Sequence, residues 1–144
     1  LGLHEQAEHL YRRVLALYEQ DPGSNDINII TVLNSLAVLY RKKGAYDQAE
    51  ALYRGALAKC ERALEPNDRR NVNTLNNFAA FYCFQGQYEH AEPLYKRALA
   101  ICDMTLGSDH PESVRVRTSY AALLKVTGRK AEADTLEGRR RSSS

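Results

Sequence analysis

Apolar residues recur along the chain with the spacing of an amphipathic helix. Within residues 33–40 they stand at i, i+3, i+4 and i+7, which places them on one face of a helix with about 3.6 residues per turn. A second run of this kind covers residues 49–57. Gly44 lies between the two runs, where a helix ends easily because glycine adopts a positive φ at little cost. The pattern predicts two helices joined by a short turn.

This helix pair recurs with a period of 42 residues. Tyr11 is followed at that interval by Tyr53 and Tyr95, and Gly44 is followed by Gly86. Self-similarity at a fixed period is typical of repeat proteins, in which stacked helix pairs bury the faces that one pair cannot bury alone. We call the two helices of each pair helix A and helix B. The predicted fold is an all-α solenoid of antiparallel hairpins, with helices at residues 5–20, 27–43, 47–64, 69–85, 89–106, 111–127 and 131–139.

Linkers rich in Asp, Asn, Pro, Gly and Ser separate one pair from the next and mark the unit boundaries. We predict a single repeat array over residues 1–138, followed by a basic, serine-rich, disordered tail at residues 139–144. The units of the array are a half repeat and three further repeats, at residues 1–24, 27–66, 69–108 and 111–138.

The first unit is expected to contain only a helix B, because Gly2 and His4 occupy the positions of Gly44 and Tyr46. A helix B without its partner exposes the apolar face that helix A covers in the other pairs. We therefore expect residues before Leu1 in the parent protein. Self-association through this uncapped end is one alternative function of the chain.

The recurring residues resemble the tetratricopeptide repeat (TPR), and the resemblance spans nearly the whole chain. The 42-residue period and the linker at residues 106–111 are similar to the kinesin light chain subgroup of these repeats. The resemblance implies a concave groove, lined by helix A of each repeat, in which an extended peptide lies. The residues that match the repeat pattern in order are Leu33, Leu36, Ala37, Tyr40, Gly44, Tyr46, Ala49, Tyr53, Ala56 and Leu57, and residues 75–99 match it again.

The resemblance also implies which residues contact the peptide. Related domains carry asparagines on helix A that hydrogen-bond the peptide backbone; Asn34 and Asn76 match them, whereas Thr118 departs from the pattern. An amide suits this task because it both donates and accepts hydrogen bonds. We expect both asparagines on the face that helix B leaves uncovered, and plain solvation of that face is the alternative. The flanking candidates are Thr31, Arg41, Asn73, Asn77, Arg115 and Lys125, whose three cations favour an acidic segment.

Composition and cysteine usage narrow the function classes. The chain has 20 Lys and Arg against 18 Asp and Glu, so a net charge of +2 gives no reason to expect nucleic acid or a membrane as partner. No apolar run approaches the roughly 20 residues of a membrane span. Three cysteines without CxxC spacing and four scattered histidines argue against disulfides and against a metal site. We predict a reducing, cytoplasmic location and no cofactor.

The sequence contains no pattern typical of catalysis. It has neither a glycine-rich phosphate loop nor a Ser-His-Asp set. Cys60 and Cys102 are related by the repeat period, which makes them core positions of helix B rather than nucleophiles. We therefore predict a non-enzymatic adaptor that binds a peptide segment of another protein. The alternatives are a structural or oligomerisation module and a regulatory domain of a larger protein.

Overall fold

The computed structural model describes residues 2–20 and 26–142, and this part of the chain consists of seven α-helices. Their bounds lie within two residues of those predicted, except at the end of the last helix. The helices are α1 (Leu3–Glu19), α2 (Asp26–Lys42), α3 (Tyr46–Ala63), α4 (Asn71–Phe84), α5 (Tyr88–Thr105), α6 (Pro111–Val126) and α7 (Lys130–Ser142).

Each turn from helix A to helix B is closed by a glycine. Gly44, Gly86 and Gly128 have φ of 82°, 75° and 82°, the left-handed region in which a side chain is strained. The N–H of Gly44 donates to the Arg41 carbonyl at 3.0 Å, and the next N–H donates to the carbonyl of Tyr40 at 2.9 Å. These bonds satisfy carbonyls that the end of helix α2 would otherwise leave unpaired.

Helix contacts divide the chain into two compact units, residues 1–65 and residues 66–144. In the first unit α2 packs against both α1 and α3. Its core contains Ile29, Leu33 and Ala56, with Leu15 and Leu52 packed against them. In the second unit α5 packs against α4 and α6, α6 packs against α7, and α4 also contacts α6.

Helix α1 has the apolar face of a helix B, but this face is less buried than the equivalent face of α3. Ala49 and Tyr53 of α3 are 0% and 1% exposed, whereas Ala7 and Tyr11, at the equivalent positions of α1, are only half-buried. Three further apolar side chains of α1 are exposed, namely Leu3 at 83%, Leu10 at 59% and Leu17 at 66%. Within the described residues, α1 is therefore the helix with the least complete core face.

A carboxylate on α1 ties this helix to α2. Glu8 accepts hydrogen bonds from the Tyr40 hydroxyl and, at 2.8 Å, from Lys43 Nζ. Arg12 also donates to the Tyr40 hydroxyl from Nε at 3.1 Å. The bonds from Lys43 and Tyr40 lower the pKa of Glu8 from 4.5 to about 2. The network stabilises the ionised carboxylate and joins helix B of one pair to helix A of the next.

A second network joins α5 to α6 and α7. Glu92, the repeat equivalent of Glu8, accepts from the Tyr120 hydroxyl at 2.7 Å and from Arg129 Nη1 at 2.8 Å. Arg129 also donates to Glu132 at 2.6 Å. The hydrogen bond from Arg129 holds the pKa of Glu92 below its ordinary value. This carboxylate is also held ionised, but by different residues.

Helix α7 extends past the boundary predicted after residue 138 from the basic, serine-rich composition. It continues to Ser142, while residues 143 and 144 lie outside the described part of the chain. Arginine is a good helix former, and residues 139–142 contain no Pro or Gly that would end the helix.

Candidate functional site: the open face of helix A

The two predicted central asparagines are buried. Asn34 is 5% exposed and Asn76 is 7% exposed, so the expectation that they lie on an uncovered face is wrong. Helix α2 packs against α1 and α3, and α4 packs against α5 and α6, so each has a buried surface wider than one apolar stripe. Thr118, the equivalent position of α6, is exposed. In this conformation neither asparagine side chain is accessible to a bound peptide.

A different stripe of helix A is left uncovered. Four positions, spaced i, i+4, i+7 and i+11 and therefore on one side of the helix, are exposed or half-buried in each of the three A helices. We call this stripe the open face. It consists of Thr31, Ser35, Val38 and Lys42 in α2, of Asn73, Asn77, Ala80 and Phe84 in α4, and of Arg115, Ser119, Ala122 and Val126 in α6.

The open face is polar at its beginning and apolar at its end in α4 and α6. Asn73 is exposed and Asn77 is half-buried, whereas Phe84 is 60% exposed. Val126, the equivalent of Phe84 in α6, is 64% exposed. The predicted site residues include the two asparagines but not Phe84 and Val126, although continuing the spacing of residues 73, 77 and 80 leads to Phe84. The structure thus adds two exposed apolar side chains to the predicted polar set.

The three predicted cations all have polar partners in the structure. Arg41 hydrogen-bonds the Tyr53 hydroxyl, whose pKa is raised by burial. Arg115 Nη2 lies 3.9 Å from the Glu112 carboxylate, and Lys125 Nζ lies 3.0 Å from that of Glu137. Because carboxylates already face Arg115 and Lys125, the positive potential of these two side chains of α6 is partly compensated.

The cysteines do not form an activated nucleophile. Cys60 and Cys102 are fully buried, which agrees with their predicted place in the core of helix B. Cys83 is half-buried with its Sγ 3.9 Å from the Tyr95 hydroxyl, and burial raises the pKa of its thiol. A reactive cysteine needs a lowered pKa. In the described ranges, His, Cys, Asp and Glu form no group of three or more that could hold a metal ion.

Helix hairpins closed by glycine, repeated at a fixed step, define a helical repeat protein. The chain belongs to the Tetratricopeptide repeat family, whose sequence pattern matches residues 1–68 and 70–139. Repeats of this family generally mediate protein–protein interaction and are typically non-catalytic scaffolds. The predicted family and the predicted all-α solenoid class are both confirmed.

Solved structures share this fold. BtubC (BKLC) from P. vanneervenii has a TM-score of 0.88 and 22% sequence identity, over 96% of this chain and 55% of that one. A protein from Podosopora anserina, described as kinesin light chain nearly identical TPR-like repeats, has a TM-score of 0.74 and 23% identity, over 98% of this chain and 67% of that one. A variant of the same protein with one substitution has a TM-score of 0.75 and 23% identity, over 98% of this chain and 66% of that one. The chain thus spans between about half and two thirds of these structures.

No curated protein matches the sequence significantly. Among the helices that the structure describes, none is long and apolar enough to cross a membrane.

Proposed function

We propose that the chain is an adaptor module that binds an extended segment of a partner protein along the open face of helix A. The observation that carries this proposal is that the same four positions stay uncovered in α2, α4 and α6. Within the second unit, where α4 contacts α6, two such stripes offer successive contacts to an extended chain, as in other solenoids that bind along one surface. The proposal keeps the predicted surface but replaces its central residues.

Within the second unit, the open face combines two kinds of contact. The side-chain amides of Asn73 and Asn77 can donate to and accept from a peptide backbone, whatever the peptide sequence is. Phe84, with 60% of its surface exposed, offers an apolar anchor of the kind that dominates binding energy at interfaces. Since α4 contacts α6, Val126 is a second exposed apolar side chain of the same unit for an extended segment that lies on Phe84.

An acidic segment remains the proposed chemistry of the partner, but charge contributes little to its affinity. The side chains of Arg115 and Lys125 are 51% and 49% exposed, so both can meet an acidic residue. Each already faces a carboxylate of this chain, and exposed ion pairs contribute only about 0–1 kcal/mol. We expect raised salt to weaken binding by a small factor rather than to abolish it.

The test uses peptides that are selected from a displayed random library for binding to the full chain. Phe84→Ala should weaken the selected peptides about tenfold, which corresponds to about 1.4 kcal/mol for one apolar anchor. Met104→Ala is the matched control, because Met104 is 69% exposed on helix B, and it should leave the affinity unchanged. Both variants should keep the melting temperature of the wild type. Selected peptides that bind both variants equally well would contradict the proposed site.

The uncovered face of α1 supports a second candidate, association with another copy of the chain. Leu3, Ala7, Leu10, Val14 and Leu17 alternate at steps of four and three residues, which is the spacing of a helix that pairs in a coiled coil. Leu10→Glu should then convert a dimer to a monomer in light scattering at high protein concentration. A wild-type chain that is monomeric under the same conditions would exclude this candidate.

A further inference from the structure

A cleft of about 520 Å³ lies among α5, α6 and α7, away from the open face of helix A. Its floor consists of four nearly buried side chains, and Lys96 stands at its rim with 62% of its side chain exposed. The volume falls within the roughly 300–1,000 Å³ that is usual for ligand sites. The floor residues are Leu99, Tyr120, Leu124 and Leu136.

The first unit shows what fills the corresponding place there. Two repeat steps before Lys96 and Leu124 stand Arg12 and Tyr40. Tyr40 is 3% exposed, and its ring centroid lies 5.5 Å from Arg12 Cζ and 5.5 Å from Lys43 Nζ. An aromatic ring flanked by cations therefore occupies the position between helix B and the following helix A.

The second unit has no aromatic ring at the position equivalent to Tyr40. Leu124 replaces the tyrosine and lines the cleft, as does Lys96, which replaces Arg12. Tyr120 lines the cleft from one helical turn earlier, and its hydroxyl is bonded to Glu92 at 2.7 Å, as that of Tyr40 is bonded to Glu8. The cleft therefore keeps an apolar floor and a cationic rim around the position where the first unit carries a phenol ring.

We propose that this cleft binds an aromatic side chain of a partner polypeptide. The ring would lie on Leu99, Leu124 and Leu136, with the Lys96 ammonium over its face, as Arg12 lies over Tyr40. A polypeptide is the expected occupant because the rim is open and because TPR repeats generally bind protein partners. The site lies on other residues than the open face of helix A and does not depend on it.

The charges around the rim leave Lys96 as a cation that can meet an aromatic ring. Glu132 is bonded to Arg129 at 2.6 Å, and Asp103 lies 3.7 Å from the buried guanidinium of Arg117. Lys96 is held more loosely, since its Nζ lies 3.9 Å from the Glu92 carboxylate. A loosely held ammonium beside an apolar floor can interact with the face of an aromatic ring, which contributes about 0.5–1 kcal/mol at exposed sites.

The test is a titration of the ¹⁵N-labelled full chain with two blocked tripeptides, acetyl-Gly-Phe-Gly-amide and acetyl-Gly-Leu-Gly-amide, followed by NMR. The Phe peptide should cause saturable shifts at residues 99–103, 120–124 and 131–136. The Leu peptide should bind about two- to fivefold more weakly, because it lacks the interaction with Lys96. Lys96→Gln should remove this preference and leave binding of the Leu peptide unchanged.

A matched pair of tyrosine variants separates the cleft from other surfaces. Leu124→Tyr restores the ring of the first unit and should weaken the Phe peptide at least about tenfold. Ala122→Tyr adds the same ring to the exposed open face of α6 and should not change binding to the cleft. If Leu124→Tyr does not fold, the Lys96→Gln result decides.

Three results would overturn the proposal. The first is an absence of saturable shifts at the cleft with the Phe peptide. The second is equal affinity of the Phe and Leu peptides, which would leave only a general apolar cleft. The third is that free indole binds as tightly as the Phe peptide, which would assign the cleft to small aromatic molecules rather than to a polypeptide side chain.

Discussion

The networks around Glu8 and Glu92 perform the same structural task with different residues. Both carboxylates stand at the same position of a helix B, and each accepts a hydrogen bond from a tyrosine hydroxyl of the next helix A. In the first unit that hydroxyl belongs to Tyr40, whereas in the second it belongs to Tyr120, which corresponds to a position one turn earlier. The carboxylate recurs at the same repeat position, but the tyrosine that donates to it comes from a different helical turn of helix A. The cleft of the second unit is lined by both Tyr120 and Leu124.

Exchanging the two side chains between the units should have the largest effect. Tyr40→Leu removes a buried ring and its hydroxyl, so we expect a loss of about 2–4 kcal/mol in the free energy of unfolding. The reciprocal Leu124→Tyr places a ring where there is space and should change that free energy by less than about 1.5 kcal/mol. Urea unfolding followed by circular dichroism measures both. If both substitutions lowered the free energy of unfolding equally, the surroundings of residues 40 and 124 would not be equivalent in packing.

Removing only the hydroxyls tests the hydrogen bonds apart from the rings. Tyr40→Phe should cost about 1–2 kcal/mol, because the Tyr40 hydroxyl both donates to Glu8 and accepts from Arg12. Tyr120→Phe should cost about 1 kcal/mol, because the contact described for its hydroxyl is the bond to Glu92. The same unfolding measurement applies. A larger loss for Tyr120→Phe would reverse the proposed order of the two networks.

The ionisation of Glu8 predicts a dependence of stability on pH. Folding lowers its pKa from 4.5 to about 2, so the unfolded chain binds the proton more tightly than the folded chain does. The carboxylate therefore stabilises the fold above pH 4.5, and this stabilisation is lost as the pH falls from 4.5 towards 2. The stability difference between wild type and Glu8→Gln should shrink over this interval. A difference that stays constant to low pH would contradict the assignment.

The parts of this fold that depend on local sequence were predicted well, and those that depend on packing were not. The spacing of residues 33–40 and the recurrence of Gly44 fix helices and turns, because both effects act within a few residues. Whether Asn76 is covered depends on how α4 meets its neighbours, which the pattern along one helix does not show. The contact between Glu8 and Tyr40 joins residues 32 apart and leaves no comparable signal.

The cleft was also beyond sequence reasoning, although one signal for it was present. Leu124 breaks the series begun by Tyr40 and Tyr82, but a tyrosine-to-leucine change within a core stripe is ordinary in a repeat. Only the positions of α5 and α7 relative to α6 reveal the cleft beside Leu124. The departure of one repeat from its relatives was therefore visible, while its consequence needed the structure.

Within each unit, the contacts of the described residues join a helix to the next one or the next but one along the chain. Contacts of this kind have short sequence separations, so they close small loops, and such topologies fold fast. The same arrangement lets one terminal helix detach while the remaining hairpins keep their own cores. Helix α1, with Leu3, Leu10 and Leu17 in solvent, has the least burial to hold it in place. Its amide hydrogens should exchange with solvent soonest, and proteases should cut there first.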